Sequence, residues 1–174
     1  MASPFSLLLA FLLTLSVNLH TCRADMEFLK STCQQTRSYS LCFSTFRTDP
    51  RSVLSTTTAE LLAIFVDIAD DRTSATASYM FNLAKQYAST PLARPLFLCG
   101  QAYTTAHEKL AEARSDVARE EFMDAYDAIT TATEAPARCG AAIESMVSPA
   151  VSKNNAEKDL LEILLDIADL MNGP

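Results

Sequence analysis

Glycine is scarce in this sequence, with three residues among 174. Its scarcity leaves no glycine-rich loop of the kind that cradles a phosphate group. Few runs have the β-branched and aromatic character of strands, whereas alanine, leucine, glutamate and lysine, which favour helices, are plentiful. The sequence therefore predicts an all-α fold and gives no support to a nucleotide-binding enzyme.

Long apolar runs are also missing after the first 24 residues. Residues 5–17 (FSLLLAFLLTLSV) form one continuous run, about the length of a signal-peptide core and too short to cross a bilayer. We predict a signal peptide over residues 1–24 with cleavage before Asp25, although no Lys or Arg precedes the run. The domain is then 25–174, secreted, with no membrane association in the mature form.

Basic residues are in deficit. Loss of Arg23 with the leader leaves 13 basic residues against 21 acidic ones, a formal charge of −8. An acidic chain repels phosphate backbones and anionic lipid, so we expect neither nucleic acid nor membrane as a partner. The excess suits a basic protein partner, or simply keeps a secreted domain soluble.

Four cysteines remain once Cys22 is removed with the leader. An even number in an oxidising compartment predicts two disulfides, and four cysteines allow three pairings. Cys33 and Cys42 are close enough in sequence to close a short helical hairpin, which leaves Cys99 with Cys139. Sequence alone does not choose among the pairings.

The sequence contains no recognisable motif for catalysis or metal binding. His107, the one histidine after the leader, stands in HEKLA without the second histidine of H-E-x-x-H, and we predict a solvated helix residue. No C-x-x-C occurs, so zinc is not expected. The string DIAD, at 67–70 and 166–169, indicates one amphipathic helix pattern used twice. Several carboxylate pairs fall on predicted exposed helix faces, without the cleft of a glycosidase: Glu108 and Glu112, Glu120 and Glu121, Asp124 and Asp127. We predict no catalytic residue, metal or cofactor.

Helix boundaries follow from prolines, caps and apolar periodicity. Two short helices form a hairpin within 25–50, and four substantial helices within 55–171 form an up-and-down bundle. Ser115-Asp116 is predicted as a helix cap, and Asn154 or Asn155 as the cap of the last helix. The predicted helices span 25–35, 38–47, 57–89, 95–113, 118–134, a short segment from Pro136 to Met146 closed by Ser148-Pro149, and a last segment ending at Met171.

At the cysteines the sequence resembles the plant invertase and pectin methylesterase inhibitor family, including its pollen-allergen branch. The likeness covers essentially the whole predicted mature chain. It is carried by CQQTRSYSLCFSTFRTDPRS from Cys33, LFLCGQAYTTAHEKLAEA from Leu96, Cys139 in the position of a fourth cysteine, and the ending SPAVSKNNAEKDLLEILLDIADLM.

This resemblance implies a four-helix bundle with an N-terminal helical hairpin and the bonds Cys33–Cys42 and Cys99–Cys139. It also implies a secreted protein that binds a cell-wall carbohydrate-active enzyme one to one and covers its substrate cleft. The location is then the apoplast, or the vacuole if the target is invertase.

The target depends on one segment. Invertase inhibitors of the family carry a Pro-Lys-Phe probe, and here the matching stretch is Glu120-Glu121-Phe122, without the proline or the lysine. We therefore expect pectin methylesterase as the partner, invertase as the alternative, and these three residues as candidate contacts. The two glutamates are alternatively plain helix N-terminal acids that favour the helix dipole. A secreted helical signalling ligand is the runner-up from another class, and a small-ligand carrier ranks last.

Overall fold

The computed structural model of the chain describes residues 26–144 and 149–172, and in this part every regular element is helical. The predicted leader with its cleavage point, and also Met146 and Ser148, lie outside the described residues. No helix in the described ranges is both long and apolar enough to cross a membrane. The elements are α1 (26–34), α2 (Tyr39–Phe46), a 3-10 helix (Pro50–Leu54), α3 (Thr58–Gln86), α4 (Ala93–Ala118), α5 (Phe122–Ala132), α6 (Glu134–Ile143) and α7 (Pro149–Asn172).

These elements form the predicted four-helix bundle with a hairpin at the N-terminus. The bundle consists of α3, α4, α5 followed by α6, and α7, with only Thr133 between α5 and α6. α4 packs against α3, α5 and α6, while α7 packs against the same three elements from the other side. α3 and α5 are therefore diagonal to each other across one continuous apolar core.

Two disulfides fasten this arrangement, in the pairing that the family resemblance implies. Cys33–Cys42, with Cα atoms 5.5 Å apart, links α1 to α2. Cys99–Cys139, with Cα atoms 4.4 Å apart, links α4 to α6. All four cysteines are fully buried. One bond thus closes the hairpin, and the other joins two helices of the bundle.

Arg37 provides a polar attachment of the hairpin to the bundle. Its guanidinium lies 2.7 Å from Asp166 and 2.9 Å from Glu162 of α7, and its backbone N–H donates to Asp166 at 2.9 Å. The first aspartate of the second DIAD string is therefore an anchor for the hairpin. In the first DIAD string, Asp67 similarly accepts from Arg51 at 3.0 Å and from Arg114 at 2.7 Å.

The start of α3 agrees with the sequence prediction and is reinforced by a capping box. The N–H of Glu60 donates to the Thr57 hydroxyl at 3.2 Å, and the Glu60 carboxylate accepts from the Thr57 N–H at 3.2 Å. It also accepts from the Thr56 N–H at 2.7 Å. These bonds satisfy N–H groups that the first helical turn leaves without partners, and they lower the pKa of Glu60.

The predicted cap at Ser115-Asp116 is wrong. α4 continues through both residues to Ala118, and α5 begins at Phe122 rather than at 118. Neither residue breaks a helix, and both side chains bind the guanidinium of Arg119 instead of a backbone N–H. The turn between α4 and α5 therefore lies later in the sequence than predicted, and α5 begins four residues after the predicted start at 118.

The predicted cap at Asn154 or Asn155 is also wrong, because α7 begins at Pro149. Proline is tolerated in a first helical turn, where its missing N–H removes no helical bond. Asn154 is instead buried inside the bundle: its Oδ1 accepts from the Tyr103 hydroxyl at 2.8 Å, and its Nδ2 donates to the Pro136 carbonyl at 3.0 Å.

One turn further along α7, the fully buried carboxylate of Glu157 accepts from the hydroxyls of Thr73 and Thr76, each at 3.0 Å. Burial, with a smaller effect of the Glu157 charge, raises the pKa of Tyr103. Because each of these side chains bonds to a group on another helix, together they fix how the helices face one another. We call Thr73, Thr76, Tyr103, Asn154 and Glu157 the buried polar layer.

Candidate target-contact site

The segment that the sequence singled out lies where α4 turns into α5. We call Arg119–Met123 the α4–α5 corner. The N–H of Glu120 donates to the Val117 carbonyl at 3.0 Å and the N–H of Glu121 to the Asp116 carbonyl at 2.9 Å. This pair of bonds is a Schellman motif, which ends a helix by placing one residue in the left-handed conformation.

Glu120 is the left-handed residue, with φ of 61°, and among the described residues no other non-glycine has positive φ. Glycine is the usual residue at this position because a Cβ atom is disfavoured there. A glutamate thus occupies a position where glycine would adopt the same backbone conformation without strain. Strained residues of this kind concentrate at binding and catalytic sites.

Arg119 holds the corner in shape. Its guanidinium donates to the Ser115 hydroxyl and lies 2.5 Å from Asp116 and 2.7 Å from Glu121. The hydrogen bond to Glu121 is the main reason that the pKa of Arg119 is raised. Two carboxylates are therefore neutralised locally, while Glu120 is not among the partners of Arg119.

The surface around the corner is acidic with an apolar tip. Phe122 is half-buried against the core, and Met123 is 64% exposed. Lys109 and Arg119 are the basic residues among these acids, and Lys109 lies 2.5 Å from Glu112. A shallow depression of about 240 Å³ between α4 and α5 is lined by several of them. The acidic residues are Glu112, Asp116, Glu120, Glu121, Asp124 and Asp127. Such a surface complements a basic protein rather than a phosphate or a nucleic acid.

His107 lies on α4 with its side chain 42% exposed, but it is also paired, which the sequence did not predict. Its Nδ1 contacts Oδ1 of Asp70, a nearly buried carboxylate of α3 that also binds Arg114 at 2.7 Å. Arg114 also binds Asp67, and Asp67 in turn binds Arg51 of the 3-10 helix. The spacing of Asp67 and Asp70 at i and i+3 puts both on one helix face, the one signal in the sequence for this cluster.

This cluster holds helices together, because Asp67 and Asp70 of α3 both bind Arg114 of α4. The described cysteines are all in disulfides, so none of them is a free thiol beside the His107–Asp70 pair. The carboxylate pairs at Glu108, Glu112 and along α5 are exposed on helix surfaces. No group of three or more metal-ligating side chains occurs within residues 26–144 and 149–172.

The chain is similar to known proteins along most of its length. A model of the plant invertase/pectin methylesterase inhibitor family matches residues 27–168. A pectinesterase inhibitor from Actinidia deliciosa is 24% identical over 154 residues, which is 87% of this chain and 83% of that protein.

Two solved structures share the fold. The crystal structure of a pectin methylesterase inhibitor from Arabidopsis thaliana has a TM-score of 0.61 at 18% identity, covering 83% of this chain and 95% of that chain. A mutant form of a pectin methylesterase inhibitor from Arabidopsis has a TM-score of 0.69 at 19% identity, covering 79% and 93%. With the family model matching residues 27–168, the chain belongs to the plant invertase/pectin methylesterase inhibitor family.

Proposed function

We propose that this chain is a secreted inhibitor of a plant pectin methylesterase, which it binds one to one and whose substrate cleft it covers. The observation that carries the choice of target is the acidic α4–α5 corner, where the invertase inhibitors of the family have Pro-Lys-Phe. The relatives named above, which are pectinesterase or pectin methylesterase inhibitors, support the same choice. The site of action is then the apoplast.

The proposed mechanism is occlusion, so the inhibitor supplies shape and charge but no chemistry. A rigid bundle with two disulfides presents its surface with little loss of conformational freedom on binding, which favours affinity. We expect no hydrolysis by the chain itself, because the family is described as one of enzyme inhibitors.

Charge complementarity gives the expected behaviour in salt. The corner places Glu120 and Glu121 on an exposed surface, and the predicted mature chain has a formal charge of −8. Opposite charge on the enzyme would speed association, and salt screens such exposed charges within about 10 Å at 0.1 M. Rim charges act mainly on the association rate, so added salt should slow binding more than it speeds dissociation.

Phe122 and Met123 supply the apolar part of the proposed contact. Interfaces commonly place an aromatic or sulfur-containing anchor within a polar rim. Phe122 is partly packed against the core, so its position is fixed before binding, whereas Met123 extends into solvent. The pair would be covered by the enzyme while the glutamates form the rim.

Invertase is the second candidate, because the family description covers inhibitors of both enzymes. A lysine probe suits acidic catalytic groups, and a glutamate in its place would be repelled by them. Inhibition of invertase would therefore have to use another surface of the bundle. In that case the vacuole becomes a possible site of action.

Parallel titrations test the proposal. Purified pectin methylesterase and acid invertase are each titrated with the protein at low and moderate salt, with activity measured against substrate concentration. We expect loss of methylesterase activity that reaches completion at one equivalent, competes with substrate and weakens with salt. Stoichiometric loss of invertase activity with the methylesterase untouched would reverse the choice of target, and no effect on either enzyme would favour a signalling ligand.

A further inference from the structure

An apolar groove lies at the opposite end of α4 from the corner. It has a volume of about 660 Å³ and lies between the end of α3 and the start of α4. Phe81, Ala84, Ala88 and Phe97 line it, together with the exposed side chains of Lys85 and Arg94. We call these six residues the apolar groove. Its surface is hydrophobic with basic charge, on a chain whose net charge is −7.

The floor of the groove depends on a glycine inside a helix. Phe81 and Phe97 lie with ring centroids 5.4 Å apart, and a Cβ atom added to Gly100 would come within 2.6 Å of the Phe81 ring. Glycine in the interior of a helix is destabilising relative to alanine. Here the missing Cβ atom leaves room for the partly buried ring of Phe81. The aromatic floor of the groove therefore depends on this glycine.

Exposed apolar side chains concentrate at this end of the bundle. Phe97 is 48% exposed, and Leu98 and Tyr87 nearby in sequence are 46% and 40% exposed. Grouped exposed hydrophobic residues of this kind mark interaction surfaces more often than scattered ones do. The basic side chains then select the occupant, which must be apolar at its centre and acidic around it.

A second copy in a symmetric, groove-to-groove arrangement does not meet that requirement. A two-fold contact places the same surface on both partners. Lys85 and Arg94 would then be near Lys85 and Arg94 of the other molecule, and like charges in an interface are unfavourable.

The α4–α5 corner of a second copy does meet it. Met123 is the exposed apolar tip, with Glu120, Glu121 and Asp124 next to it in sequence. Methionine adapts to irregular surfaces and makes favourable contacts with aromatic rings. The 26 residues of α4 span about 39 Å, so the corner of one molecule cannot reach its own groove.

We propose that the chain self-associates head to tail, with the α4–α5 corner of one molecule in the apolar groove of the next. The contact is between unlike surfaces, so the molecule at each end of a head-to-tail chain keeps one free groove or one free corner. A contact of this small size is weak and forms only at high protein concentration. It covers the corner, so a molecule bound in this way has that surface occupied whether or not the corner also binds an enzyme.

Sedimentation velocity over a wide range of concentration, at moderate salt, tests this without any enzyme. The chain is produced by secretion from its full coding sequence, so that the host removes any leader. Wild type should sediment faster as concentration rises. A groove variant, Lys85→Glu with Arg94→Glu, and a corner variant, Met123→Glu, should each remain monomeric. Leu54→Glu and Arg47→Glu alter exposed residues elsewhere and should behave as wild type.

Mixing the two monomeric variants is the decisive step. One retains an intact corner and the other an intact groove, so an equimolar mixture should form a dimer and nothing larger. A wild type that stays monomeric at every concentration would overturn the proposal, and so would a mixture that fails to associate. Association abolished by the groove variant but unaffected by Met123→Glu would also overturn it, in favour of a groove-to-groove dimer.

Discussion

The buried polar layer and the α4–α5 corner use similar side chains for opposite purposes. In the layer, Glu157 is fully buried and both of its oxygens accept hydrogen bonds from threonines of another helix. In the corner, Glu120 is exposed on a backbone with φ of 61°. Buried polar groups with complete partners specify the arrangement of helices. An exposed group on a strained backbone contributes little to stability, so the layer maintains the scaffold and the corner is available for the recognition proposed above.

The largest effect on stability should come from removing the disulfide that joins two helices of the bundle. Cys139→Ser breaks the link to Cys99, which spans 40 residues of sequence. Loss of a native disulfide from a small secreted domain typically costs about 2–5 kcal/mol. The free energy of unfolding, measured by urea denaturation, should fall by that amount. An unchanged transition would show that the bond is absent or irrelevant to stability.

The buried layer should be the next most sensitive. Asn154→Ala leaves the Tyr103 hydroxyl and the Pro136 carbonyl without their partner, and a buried unsatisfied group costs about 1–3 kcal/mol. Asn155→Ala is the matched control, since the adjacent side chain is exposed and should change stability by less than about 0.5 kcal/mol. Equal effects from the two variants would contradict a buried role for Asn154.

The α3 capping box should make a smaller contribution that depends on pH. Hydrogen bonds from the backbone N–H groups of Thr56 and Thr57 lower the pKa of Glu60. A lowered pKa in the folded state adds stability above the ordinary value of about 4.3, which is lost as pH falls through the lowered pKa. Glu60→Gln should therefore reduce stability at neutral pH and have less effect in acid. A loss that is equal at both pH values would contradict the charge dependence.

The corner should give the smallest change, and of opposite sign. Glu120→Gly relieves the left-handed backbone and should stabilise the fold by about 0.5–1 kcal/mol. Glu121→Gly is the control, because Glu121 has φ of −87° and gains nothing from glycine. Thermal unfolding of both variants would measure the difference. Destabilisation by Glu120→Gly would mean that the carboxylate supports the fold, contrary to a role in recognition.

The fold was predictable because the chain marks its helices with local signals. The apolar stripes and the breaks at prolines each act within a few residues or follow a regular period. The errors at Ser115-Asp116 and Asn154 arose where a side chain that favours caps is used for another contact. Asp116 binds Arg119, and Asn154 binds groups on two other helices.

The geometry of the candidate site was not predictable from the sequence. Sequence resemblance located Glu120, Glu121 and Phe122 without indicating the left-handed turn or the clamp by Arg119. The pairing of His107 with Asp70 was likewise missed. The two residues are 37 positions apart in the sequence and come into contact only when α3 packs on α4. Contacts between distant segments are the part that local patterns do not carry.

Reversing the charge of the corner tests the division between scaffold and recognition most directly. Glu120→Lys is compared with Asp71→Lys, an equal charge reversal at an exposed residue of α3, diagonal to α5. Each protein is titrated against pectin methylesterase, and its unfolding free energy is measured alongside. We predict that the corner variant loses at least about tenfold in affinity, or about 1.4 kcal/mol, with stability nearly unchanged, while Asp71→Lys inhibits like wild type. Full inhibition by the corner variant would contradict the account.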